Sequence, residues 1–78
     1  MENKVFEKVT AIIRATVQQP RLNITGNSSS KDVEGWDSLR HLMIITGVEK
    51  EFGLKFDFME ILDVKTVDDI CKLVMKNK

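Results

Sequence analysis

Seventy-eight residues suit one small domain spanning 1–78 and leave little room for the deep cleft of an independent enzyme. With 42% hydrophobic and 31% charged residues the chain has the balance of a soluble globular domain, and 12 Lys plus Arg against 12 Asp plus Glu argue against a nucleic-acid binder, which needs a basic excess. The single cysteine, Cys71, excludes an internal disulfide and fits a reducing, cytoplasmic setting, and neither a membrane span nor a signal peptide is expected from the scattered charges of "MENKVFEKV" and the short apolar runs.

The first helix is expected over residues 2 to about 18, where Val5, Val9, Ile12, Ile13, Thr16 and Val17 recur at three- and four-residue steps. Pro20 ends it, because proline cannot continue the ladder. A long loop follows over 19–37. Leu22, Ile24 and Val33 should pin it to the helices, leaving "GNSSSK" as its mobile part. The sequons at Asn23 and Asn27 read as chance.

A second helix is expected over 38–52, stopped by Gly53. Either Asp37 or Ser38 can cap it. A turn of about 100° per residue places Leu42, Ile45, Val48 and Phe52 on the core stripe. It places Arg40, Met43, Gly47, Lys50 and Glu51 opposite, with Ile44 near that outer edge. Leu54 and Phe56 then anchor a connector, and Phe58–Leu62 forms a short helix capped by Asp57. The last helix spans about 67–76. Thr66 and Asp69 are spaced as a capping box, Val67, Ile70, Cys71, Leu73 and Val74 face inward, and Lys72, Lys76 and Lys78 suit its C-terminal end. The expected fold is all-α: a small four-helix bundle, three helices long and one short, with a long first loop.

The parts of a catalytic or metal site are missing. One histidine and one cysteine cannot build a zinc centre, and no metal is expected. No glycine-rich phosphate loop is present. Asp57, Glu60, Asp63, Asp68 and Asp69 do not follow calcium-loop spacing and read as a solvated face. Ser38 and His41 stand at i and i+3, but no third group orients the imidazole, and Cys71 reads as a small core residue. The chain is not expected to be an enzyme.

Ser38 lies in "GWDSL", where the polar loop enters the second helix, which closes on "EKEFG". Together with "KTVDDI" before the last helix, the helix order and the length, these residues resemble the acyl carrier protein family over almost the whole chain. The resemblance implies that Ser38 bears a 4′-phosphopantetheine group, taken from coenzyme A, whose thiol holds acyl or aminoacyl groups as thioesters. Asp37 and Leu39 would be the flanks that a phosphopantetheinyl transferase reads. Acyl-activating and acyl-transferring enzymes and other synthase components would be the further partners of a monomeric carrier, with fatty acid or polyketide biosynthesis as settings. A helix N-terminus suits a phosphate, which supports the assignment independently. An unmodified helical interaction module with the same fold is the alternative.

The chain departs from the acidic pattern of fatty acid carriers. Arg40 and His41 follow the serine, and the net charge is zero. Trp36, Arg40, His41, Met43, Ile44 and Gly47 are the candidate partner-binding residues. Trp36 can instead cover the base of the loop, and Met43 and Ile44 can be ordinary scattered apolar surface. The neutral second helix points to apolar docking and to a dedicated carrier of a specialised pathway.

Overall fold

A computed structural model describes residues 3–77. It is all-helical, with α1 (Asn3–Thr16), α2 (Ser38–Phe52), α3 (Phe58–Asp63) and α4 (Val67–Asn77). The expected start at residue 2 and Lys78 lie outside the described residues. α1 packs on both α2 and α4, and the core gathers Val5, Val9 and Ile13, Ile44, Ile45 and Val48, and Ile70, Cys71 and Val74. All five residues of α4 expected to face inward are buried.

α1 ends before Pro20 acts. Gln18 takes a left-handed conformation, with φ of 59°, and the Gln19 N–H donates to the Arg14 carbonyl at 2.9 Å. This is a Schellman stop with glutamine where glycine is usual. The loop that follows is tied down more tightly than its composition suggests. The Arg14 guanidinium donates to the Leu22 carbonyl at 2.8 Å, and Ile24, Val33 and Trp36 are buried. "GNSSSK" is no free stretch either. The carbonyls of Gly26 and Ser28 accept from the N–H groups of Asp68 and Val67, at 2.9 and 3.0 Å, and so cap α4.

α2 presents a different face to the core from the one its spacing suggests. Ile44 is fully buried with Ile45 and Val48, while Leu42, expected inside, is 48% exposed. Gly47 is half-buried against α1, where an added Cβ would sit 3.0 Å from Ile12. The physical reason is that apolar residues surround most of α2, so its amphipathicity is weaker than that of α1 and α4. Periodicity then leaves the phase open, and contact with α1 and α4 selects Ile44, Ile45 and Val48.

The later helices are capped as expected. Glu60 accepts the Asp57 N–H at 3.0 Å at the start of α3. At α4 the Asp69 carboxylate accepts from Thr66 N–H at 3.1 Å and from Lys65 N–H at 3.0 Å, and the Thr66 hydroxyl accepts from Asp69 N–H at 3.2 Å. Burial works against the Asp69 carboxylate. The hydrogen bonds from Lys65 and Thr66, helped by the Lys72 charge, outweigh it and lower the pKa below the ordinary 3.8. A carboxylate with a lowered native pKa stabilises above its unfolded value, and that contribution is lost as pH falls through the native one. Asp69→Asn is therefore expected to cost about 1 kcal/mol near neutrality. The deficit should vanish in strong acid, as urea unfolding of both proteins across pH will show.

Candidate functional site

The site is built by the turn that enters α2. Gly35 has φ of 90°, a conformation that L residues rarely adopt, and it lets the chain reverse between Glu34 and Trp36. The Gln19 side chain holds the Glu34 carbonyl at 2.6 Å, and the Trp36 N–H donates to the Val33 carbonyl at 3.2 Å. Trp36 thereby turns into the core and is 3% exposed. Its indole N–H donates to His41 Nδ1 at 3.1 Å, and the two ring planes lie within 20° of each other with centroids 6.0 Å apart. Burial removes Trp36 from the candidate contact surface and assigns it to the base of the loop.

Asp37, not Ser38, caps α2. Its carboxylate accepts the Arg40 N–H at 2.8 Å, and its second oxygen lies 3.4 Å from the Arg40 guanidinium. The first helical bond runs from the His41 N–H to the Asp37 carbonyl at 2.8 Å. The N–H groups of Ser38 and Leu39 have no partner among the described residues. Ser38 itself is exposed at the first helical position, and its hydroxyl has no hydrogen-bond partner among the described residues. An exposed hydroxyl beside two open N–H donors, at the positive end of a fifteen-residue helix, fits a phosphate ester.

The structure groups some of the candidate residues and disperses others. Asp37, Ser38, Leu39, Arg40 and His41 share the first turn of α2, and Met43 lies one turn on. Ile44 and Gly47 turn inward, so neither belongs to an outer contact face. Leu42 takes their place: with Leu39 at 60% and Met43 at 49% exposure it forms an apolar outer stripe. Sequence spacing misses it because it assigns Leu42 to the core. α3 adds exposed Phe58, Met59 and Leu62. The acidic residues of α2 are engaged internally: Glu49 accepts the Phe56 N–H at 2.8 Å, and Glu51 pairs with Lys8 at 3.1 Å.

No other thiol or metal chemistry competes at this site. Cys71 is buried, and burial, then the nearby Asp68 charge, pushes its thiol up to about 11, so it stays protonated and inert. Among the described residues no cluster of histidine, cysteine, aspartate and glutamate could hold a metal ion, and no helix is long and apolar enough to cross a membrane.

Comparison with known proteins gives the family over most of the chain. Residues 7–74 match the model of the family described as "Phosphopantetheine attachment site". The chain is similar to an acyl carrier protein of Onion yellows phytoplasma, 34% identical over 73 residues, which are 94% of this chain and 96% of that one. An acyl carrier protein of Thermotoga maritima is 30% identical over 94% of this chain and 90% of its own. Among solved structures, the holo acyl carrier protein of Geobacter metallireducens superposes with a TM-score of 0.83 at 30% identity, covering 92% of this chain and 83% of that one.

Proposed function

The chain belongs to the acyl carrier protein family, whose prosthetic group is phosphopantetheine, and on that premise we propose that Ser38 is the residue that bears it. The observation that carries this reading is the exposed, unbonded Ser38 hydroxyl on a turn already capped by Asp37. The group, once attached, supplies a terminal thiol that holds acyl or aminoacyl cargo as a thioester. The chain's own work is presentation. Gly35 and Trp36 fix the turn, Asp37 frees Ser38 from capping duty, and the open N–H groups of Ser38 and Leu39 favour the phosphate's charge. The transferase must supply the base, since nothing among the described residues hydrogen-bonds the Ser38 hydroxyl. A monomeric, cytoplasmic carrier serving a specialised pathway fits the neutral charge and the single buried thiol. Incubation with coenzyme A and a broad-specificity phosphopantetheinyl transferase should raise the protein's mass by one phosphopantetheine. No gain with several such transferases overturns the reading.

Partners are proposed to dock on the outer stripe of Leu39, Leu42 and Met43, with Arg40 at its edge. Exposed apolar side chains rimmed by polar ones mark contact surfaces, and this stripe adjoins the serine. Met43→Glu is expected to raise the transferase KM about tenfold, the scale of one lost apolar anchor. Because α2 carries no net charge, with Glu49 bonded to the Phe56 N–H and Glu51 paired with Lys8, added salt should change that KM little. An unchanged KM in the variant removes the stripe from the account.

A further inference from the structure

The buried Trp36 indole N–H finds its partner on His41. An indole nitrogen only donates, so His41 Nδ1 must be the acceptor of the 3.1 Å bond. A nitrogen that accepts does not carry the proton. The neutral imidazole therefore keeps its proton on Nε2. That second nitrogen has no partner among the described residues. It is also absent from the buried polar atoms left without one, of which Asp68 Oδ1 is the example among the described residues, so it opens to solvent. His41 stands three residues after Ser38, the spacing of neighbours on a helix surface. Helical side chains lean toward the N-terminus, the direction in which Ser38 lies from His41.

We propose that His41 is a phosphate-binding residue and Trp36 its positioning residue: the buried indole fixes the tautomer so that Nε2–H donates to a non-bridging oxygen of the phosphodiester on Ser38. The inference rests on the attachment of phosphopantetheine at Ser38. A donor on a charged acceptor is worth more than one on a neutral group. With the open N–H groups of Ser38 and Leu39, it gives the phosphate partners from two directions and so sets where the arm leaves the protein.

The test is nitrogen-15 and phosphorus-31 magnetic resonance of the unmodified and loaded protein at about pH 8, above the ordinary imidazole range. The unmodified protein should show the Nε2–H tautomer, and loading should shift the Nε2 resonance. In Trp36→Phe both tautomers should appear and that shift should shrink. The phosphorus resonance of the loaded protein should move in His41→Phe and return toward its original position in His41→Gln, which restores a donor. The wild-type spectra decide the matter even if a variant fails to fold. An Nδ1–H tautomer in the unmodified protein, or an Nε2 resonance untouched by loading, overturns the inference while the mass gain leaves the attachment reading standing. Absence of the mass gain overturns both.

Discussion

Replacing Ser38 with alanine is expected to abolish phosphopantetheine loading outright while leaving the fold's stability within about 0.5 kcal/mol of the parent. The two halves of this result separate a functional hydroxyl from a structural one. A serine that caps a helix typically contributes about 1 kcal/mol, and its loss would appear as an earlier unfolding midpoint. Here Asp37 takes the Arg40 N–H at 2.8 Å, and the Ser38 hydroxyl holds nothing among the described residues. Asp37→Ala should therefore show the opposite pattern in stability, losing about 1 kcal/mol. Intact mass after incubation with coenzyme A and transferase, read beside urea unfolding, checks both proteins. A Ser38→Ala variant that still loads contradicts the assignment, and one that loads nothing but also loses a cap's worth of stability contradicts the division of labour.

Ile44→Ala is expected to be the most damaging truncation on α2, at about 2–5 kcal/mol, against less than about 0.5 kcal/mol for its neighbour Met43→Ala. Ile44 is fully buried between α2 and its neighbours, and alanine leaves a cavity that rigid helices fill only in part. Met43 is half exposed and loses little when truncated. In a domain whose total stability is about 5–15 kcal/mol, the first change removes a large share of the margin. Urea midpoints for the two variants give the comparison directly. Equal midpoints would mean that α2 is rotated relative to the packing described. The pair matters for function as well, because it divides the proposed partner-facing stripe from the core.

What the sequence makes legible follows from how narrow its patterns are. α4 is readable in its start and its inward face: Thr66 and Asp69 cap it reciprocally, and one apolar stripe leaves a single way to face inward. α2 is readable as a helix with both ends, yet not in rotation, since Leu39, Leu42, Met43, Ile44, Ile45, Val48 and Phe52 nearly encircle it. The anchoring of "GNSSSK" is invisible because it runs through the backbone carbonyls of Gly26 and Ser28, which leave no side-chain signature. The geometry of the candidate turn is legible because "GWDSL" combines a glycine at positive φ, a cap and a hydroxyl in one run. The Trp36–His41 bond is not. It joins residues five apart across a helix start, a spacing that belongs to no helical or strand period.

Digestion of the loaded protein with trypsin tests the central claim most directly. Cleavage after Lys31 and Arg40 releases residues 32–40, "DVEGWDSLR", in which Ser38 is the sole hydroxyl-bearing residue, whereas Ser28, Ser29 and Ser30 leave in the preceding peptide. The account predicts that the added phosphopantetheine mass resides wholly in the 32–40 peptide. Its appearance in any other peptide, with residues 32–40 recovered unmodified, would contradict the account.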